Sequence, residues 1–425
     1  MPVTTIDALA VVLSGVLVAH VERTPSGAYR LEYEPSAKSH GSTPLSLSLP
    51  PEVGSFVGES VGIFLWGQLP ENPLALAAVQ RTHRGVDPRD PMSLLAAIGR
   101  DCAGAVQFCR PADVADLFSG TGSLEPAGEA DIEQRLSELR LDPQAGWVMA
   151  GEHWSLAGMQ PKFGIRRSEN SWWWAHGSQA TTHIVKPGVS GLRAQALVEH
   201  LTMRAGAHLG LSVAATEFVD FQSERALVVK RFDRVSTADG GVTRIHQEDV
   251  CQALNIREKY EQNGGPSASV VIKLLRESAA TARQARENVG AFVAGLIFNT
   301  VVAAPDAHAR NYALVLDGDQ VQLSPLYDLA TSLAYDPPAH SARQVSMQIG
   351  GASAACDIGE DAWKRFADDN GLSAKWILEQ VDRIRGTAVD AFERAIQEAT
   401  DNDWDDQVGA VAGRLLPALA SQLAQ

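Results

Sequence analysis

Residues 304–311 read APDAHARN, so Asp306 and Asn311 stand five positions apart with His308 and Arg310 between them. The stretch ends the apolar run VGAFVAGLIFNTVVAA. Polar groups buried without partners are costly, so this is either a polar loop that caps a core helix or a reactive loop. As a reactive loop, Asp306 can take a proton from a hydroxyl and Asn311 can ligate a cation. Four further clusters carry chemistry. In WSLAGMQPKF, small residues around Ser155 and Gly158 let backbone amides approach phosphate oxygens, and Lys162 adds a point charge. The same stretch could be a plain hairpin turn, and it does not match G-x-x-x-x-G-K-[ST]. HIVKPG puts Lys186 at the end of an apolar strand, where a cation is unusual; it either snorkels from an edge or grips an anion. In ALVVKRFDR, Lys230 to Phe232 leave a strand, and Asp233 and Arg234 could form a structural salt bridge. LSPLYDLATS places Asp328 seventeen residues after Asn311, as a helix N-cap or a second metal ligand. One carboxylate and one carboxamide suit Mg²⁺, which completes its shell with phosphate oxygens and water.

The order of these clusters carries more than any one of them. Protein kinases place a strand Lys on the α and β phosphates of ATP, pair it with a helix Glu, and then present a hinge, a catalytic Asp five residues before an Asn, and a metal-binding Asp. Glu199 follows Lys186 by thirteen residues, where a kinase carries the pairing acid. Asp306-x-x-x-x-Asn311 keeps the catalytic-loop spacing without the preceding His-Arg, and Tyr327-Asp328-Leu329 stands in place of Asp-Phe-Gly. Independent structural accidents rarely fall in that sequence.

The elements that must position these groups follow from patterning. LAVVLSGVLVAHVE and AYRLEYEP read as strands around a turn, and PLSLSLPP alternates before a proline pair. DPMSLLAAIGRDCAGAVQF opens with a helix start signal and runs as a helix to Gly99. SGTGSLEPAGEAD reads as a linker, closed by the short helix IEQRLSELRL. KFGIRRSENSWWWAHG resembles a hairpin turning at SEN, THIVKPG a short buried strand, RAQALVEHLTMRAGAHLGL a helix, and TEFVDFQSERALVVKRFDR a strand pair. After Cys251 the pattern is helical. This predicts an α+β, bilobal, protein-kinase-like chain. A β-rich N-terminal module spans 1–112, a linker with a short helix 113–146, a small lobe 147–252, and an all-helical C-terminal lobe 253–425.

Composition narrows the classes. The chain has 425 residues, 45% of them hydrophobic, enough for a real core. Its four cysteines form no C-x-x-C pair, which argues against a zinc knuckle or disulfide framework and for a reducing, cytoplasmic setting. The first residues lack a basic n-region and read as strand-turn-strand, and no apolar stretch is long enough for a membrane span. A net charge of −15 means that DNA contact would need a local basic patch or a partner.

The chain resembles the HipA-type serine/threonine kinases, toxins of bacterial type II toxin–antitoxin modules. The likeness rests on SLAGMQPKF, THIVKPG, KRFDR, HQEDVCQALNI, EKYEQNGGPS, DAHARN and PLYDLATS, and in the first part on PLSLSLP, QLPEN and SLLAAIGRDCAGAVQF. It spans roughly residues 10 to 400. The resemblance implies ATP and Mg²⁺ as cofactors, Asp306 as catalytic base, and Asn311 and Asp328 as metal ligands. It implies a cofactor-binding set of Lys186, Gly158, Lys162, His308 and Ser155, with the backbone from Lys230 to Phe232 holding adenine. Ser155 would be autophosphorylated, which ejects its loop and disables ATP binding. Implied partners are a small helix-turn-helix antitoxin (HipB-like), operator DNA through that complex, and an aminoacyl-tRNA synthetase substrate, notably the glutamyl enzyme. Met159, Pro161 and Lys230 depart from the family's pattern; Pro161 removes a backbone donor from the loop. Two other readings stand beside this one: a catalytically weak co-repressor acting with the antitoxin, and a kinase of the same fold acting on a small molecule or lipid.

Overall fold

The computed structural model describes residues 5–38, 41–142, 144–336, 342–400 and 405–424. The first part of the chain forms a five-stranded antiparallel sheet. Its spatial order is Ser55–Val57, Tyr29–Tyr33, Val16–Arg23, Ala8–Leu13, Val106–Cys109. Helices Glu59–Gly67, Pro73–Thr82 and Pro91–Ile98 pack with it. The last of these starts at Asp90, whose carboxylate accepts from Met92 and Ser93 amides, and stops at Gly99.

A second, six-stranded antiparallel sheet carries the lysine strand His183–Lys186. The order is Thr216–Phe221, Glu224–Lys230, His183–Lys186, Phe163–Ser168, Ser171–Ala175, Leu124–Pro126. The hairpin turns at Glu169 and Asn170, both with positive φ. Two-residue periodicity explains how this sheet is held. Along Glu224–Lys230, Ala226 and Val228 face the core shared with the first sheet, while Leu227 and Val229 face the core of helix Gln195–His208 and the C-terminal lobe. The small lobe is thus packed on both faces.

Three expectations change. Residues 123–128 are not a free linker: Leu124–Pro126 is an edge strand of the six-stranded sheet, paired with Trp173–Ala175. PLSLSLPP does not form a strand; Leu45 and Leu49 are buried, held by the Tyr33 hydroxyl, which accepts from Leu45 N and donates to Leu49 O. The all-helical C-terminal lobe is corrected by two small sheets among its helices. Gln247–Asp249 pairs with Ala313–Asp317 and that with Gln320–Leu323, while Gln344–Ile349 pairs with Ala352–Ala354. The first of these sheets leads directly out of residues 306–311. Helices supply the bulk of the lobe. Ala282–Val301 carries Arg283, Arg286 and Glu287 exposed in its first turns and is mostly buried from Phe292 to Val301, where its apolar residues run all round the helix. Ala374–Thr400 packs along Gln195–His208, and Arg204 binds Glu398 at 2.8 Å.

Candidate active site

The strand and helix above bring a cation and an acid together. Lys186 Nζ lies 2.7 Å from Glu199 Oε1 and also bonds Asp328 Oδ1. Lys186 and Glu199 are 6% and 1% exposed. Gln195, one turn earlier on the helix, donates to the second Glu199 oxygen at 3.2 Å. Burial opposes the charge on Lys186, but Asp328 and Glu199 outweigh it and raise the ammonium above its ordinary range. Burial pushes Glu199 up to about 7, against Lys186 and with help from the Asp328 charge. Asp328 is half-buried, its side chain 26% exposed; Lys186 and Lys162 outweigh its desolvation and hold its carboxyl well below the usual carboxylate range.

No helix begins at Asp328, so it is not an N-cap. Its φ of 58° lies in the left-handed region, which Asp tolerates better than most residues. Its neighbours fix it there: Leu326 pairs with Val213, exchanging backbone bonds with Ser212 and Ala214 at 2.8 Å. The Tyr327 hydroxyl donates to the Arg310 carbonyl at 2.7 Å, which ties Asp328 to the 306–311 loop.

That loop is a short 3₁₀ turn at the end of the core helix. Asn311 Nδ2 donates to the Asp306 carbonyl at 2.6 Å, leaving the Asn311 Oδ1 acceptor for a cation. The Asp306 carboxylate, 56% exposed, accepts from the Tyr260 hydroxyl and lies 3.7 Å from His308 Nε2. His308 stacks edge-on against Tyr260, its ring centroid 4.9 Å away. Burial lowers the His308 pKa against the pull of Asp306, and among the described residues its Nδ1 has no hydrogen-bond partner. Arg310 makes a salt bridge to Glu71 at 2.9 Å.

Lys162 reaches under the WSLAGMQ loop. Its ammonium, 5% exposed, donates to the Ala157 carbonyl at 2.8 Å. Burial, reinforced by the Lys186 charge, lowers it to about 8, a penalty that an entering anion would relieve. Gly158 has φ 108°, and a Cβ there would come within 2.6 Å of Lys162 Nζ. Only glycine fits that position without moving the cation.

One cleft is lined by Gly158, Lys162, Lys186, Lys230, Phe232, Asp306, His308, Asn311 and Asp328, with Leu156, Ile184, Ala214 and Val229 forming an apolar wall. Glu199 stands behind it, reaching it through Lys186. Ser155 does not line it: its side chain is fully buried and donates to the Gln68 carbonyl at 2.6 Å. At the hinge, the amides of Lys230 and Arg231 are already bonded to the carbonyls of Ala215 and Thr182, so a base must use other backbone groups. Phe232 stacks with Tyr327 at 5.9 Å. Asp233, at the cleft's edge, and Arg234 join a buried salt-bridge network with Asp101 and Arg231.

Sequence reasoning assigned no role to Glu71, Lys259, Tyr260 or Asp249, all at or beside the cleft. The signal was present in QLPEN and EKYEQNGGPS, but each acts on a loop far away in sequence. Burial raises Asp249 to about 6 against the pull of Arg310.

A β-rich lobe and a helical lobe around such a cleft define a kinase-like fold. Family models agree: residues 9–109 match the HipA N-terminal domain and residues 154–392 the HipA-like C-terminal domain. The chain belongs to the HipA-like serine/threonine kinase toxin family. It is 33% identical over 366 residues to "Putative kinase Y4mE" of Sinorhizobium fredii, covering 84% of each chain. It is 28% identical over 375 residues to the serine/threonine-protein kinase toxin HipA of Shewanella oneidensis, covering 85% of this chain and 83% of the relative. The fold matches that of HipA in the solved Shewanella oneidensis MR-1 complex of HipA, HipB and operator DNA. The TM-score is 0.81 at 24% identity, over 98% of this chain and 97% of that one. Among the described residues no helix is long and apolar enough to cross a membrane.

Proposed function

We propose that this chain is an ATP- and Mg²⁺-dependent serine/threonine protein kinase, the toxin of a type II toxin–antitoxin module. The observation that carries the reading is the single cleft in which Lys186, bound to both Glu199 and Asp328, faces the Asp306–Asn311 loop. Two buried ammonium groups and the Ser155–Gly158 loop suit a polyphosphate. Asp328 and Asn311 suit Mg²⁺, which takes few protein ligands and shares the rest of its shell with phosphate; when bound, that ion would neutralise charge on the phosphates. Asp328 and Asn311 would hold that ion, and Lys186, now bonded to Asp328, would be the ammonium nearest to phosphate oxygens. Asp306 then orients and deprotonates the acceptor hydroxyl, replacing its bond from Tyr260. Its exposure gives a protein substrate access.

The family resemblance adds the finer parts. Ser155 is the autophosphorylation site. Its hydroxyl has no free space around it and faces a carbonyl, so a phosphate there forces the loop out. Partners are a HipB-like helix-turn-helix antitoxin and, through it, operator DNA; the Shewanella oneidensis structure holds HipA with HipB and operator DNA. The protein substrate is an aminoacyl-tRNA synthetase, glutamyl type favoured. On this reading residues 1–112 are the N-terminal module, 113–146 its connection, 147–252 the small lobe and 253–425 the C-terminal lobe. Incubation of the purified chain with labelled ATP, Mg²⁺ and a cytosolic extract tests it. A labelled synthetase and a labelled Ser155 peptide are the expected products; label on small molecules or lipids alone would refute the protein-kinase reading.

A further inference from the structure

Residues 68–72, the Q-L-P-E-N of the N-terminal module, touch both loops of the cleft. On one side the contacts are made with the phosphate loop, mostly by backbone. The Gln68 carbonyl accepts from Ser155 Oγ at 2.6 Å, and Glu71 N donates to the Gly158 carbonyl at 3.0 Å. Pro70 and Gly158 form a parallel bridge, and Asn72 Nδ2 donates to the Met159 carbonyl at 3.1 Å. On the other side the Glu71 carboxylate divides between two cations. Oε2 meets Lys259 Nζ and Oε1 meets Arg310 Nη1, both at 2.9 Å. Arg310 belongs to the catalytic loop. Lys259 grips the same loop through its backbone, its carbonyl accepting from Ala309 N at 3.2 Å. The adjacent Tyr260 donates to Asp306.

We propose that residues 68–72 are a strap that sets the two loops against each other, with Glu71 a positioning residue for the catalytic loop and Asn72 one for the phosphate loop. All three side chains of the ion triad are 18% exposed, so their pairing is only partly screened by water; removing the carboxylate takes from Lys259 its ion-pair partner and leaves Arg310 with the Arg257 carbonyl at 3.0 Å. The N-terminal module is therefore part of the machinery of the cleft. The strap's contacts stand by themselves; their effect on catalysis rests on the phosphotransfer reading.

Hydrogen exchange on the full chain without nucleotide separates the two. Glu71→Gln is expected to speed exchange of the Ala309 amide and its neighbours about tenfold, the effect of losing one charge-assisted bond, while amides 156–160 stay as in the wild type. Asn72→Ala is expected to do the converse. Glu71→Asp, which keeps the charge, restores part of the protection. In phosphotransfer, Glu71→Gln lowers kcat about tenfold with KM for ATP nearly unchanged, whereas Asn72→Ala raises KM. Wild-type exchange at 309–312 in Glu71→Gln, or equal acceleration along the whole chain, overturns the strap. Should the wild type transfer no phosphate, the kinase reading falls and the exchange data still decide on the strap.

Discussion

Two clusters of acids and bases lie near the hinge, and they are built to opposite plans. In one, Asp101 and Asp233 meet Arg231, Arg234 and Arg244. Asp101 Oδ1 is bonded to Arg234 at 2.8 Å and to Arg244 at 3.2 Å; Oδ2 is bonded to Thr181 and Arg231. Asp233 accepts from Arg231 Nε and Nη2, and from the Gly104 amide at 2.7 Å. Burial would raise Asp101, but its arginines hold it far below the usual range. All four carboxylate oxygens are used. In the other cluster capacity is left over: Asp306 is exposed, His308 Nδ1 has no hydrogen-bond partner among the described residues, and Lys162 is a buried cation on a carbonyl. A closed network fixes the N-terminal module onto the kinase lobe; an open one can take up charge from a ligand. Similar residue types, as in RFDR and DAHARN, thus serve anchoring in one place and, on the proposed function, chemistry in the other.

Mutation should separate the plans. The largest effect falls on the open cluster. Asp306→Asn is expected to lower phosphotransfer by about 10³-fold, within the range of losing a general base, without changing the melting temperature or the affinity for nucleotide. A matched loss of stability would show that Asp306 anchors rather than reacts. In the closed cluster, Asp101→Ala leaves two buried guanidinium groups, Arg231 and Arg234, and the half-buried Arg244 short of an acceptor. A cost of about 3–5 kcal/mol in chemical denaturation is expected, and a cost near zero would mean that the network is not what holds the two parts together.

A smaller effect is expected where the two parts meet the phosphate loop. Ser155→Asp puts a carboxylate against the Gln68 carbonyl and should weaken ATP binding about tenfold, read by calorimetry, while Ser155→Ala stays close to wild type. Equal affinities for the two variants would sever Ser155 from the loop's position. The smallest effect is in pH. Burial raises Glu248 to about 8, with Leu47 N on one oxygen and the other unpartnered. A carboxyl raised by folding binds protons more tightly in the native state, so its contribution falls as pH rises from about 4.5, its unfolded value, to about 8. Glu248→Gln should therefore gain stability on the wild type across that window and match it below. A pH-independent difference would show that Glu248 does not titrate there.

What could be read from the chain was local. The five-residue Asp–Asn spacing, the strand Lys, the thirteen-residue step to Glu199 and the helix stops at Gly99 and Gly210 depend on neighbours in sequence. Glu71 was not legible, because its partners Lys259 and Arg310 lie 188 and more residues away and meet it only across the lobe boundary. The role of Asp233 and Arg234 stayed open for a related reason: whether RFDR faces a nucleotide or a buried Asp101 depends on burial, which spacing does not report. PLSLSLPP misled because alternation alone specifies no pairing partner, and this segment spends its polar groups on Gln252 and Glu248 instead. The small sheets of the C-terminal lobe were hidden by their brevity.

The central claim is that one cleft transfers phosphate with Asp306 as its base. Phosphopeptide mass spectrometry of the wild type and Asp306→Asn after incubation with ATP and Mg²⁺ tests it most directly. The account predicts time-dependent phosphate on the Ser155 peptide of the wild type and none on the variant. Equal phosphate on both, or none on a wild type that binds ATP, would contradict it.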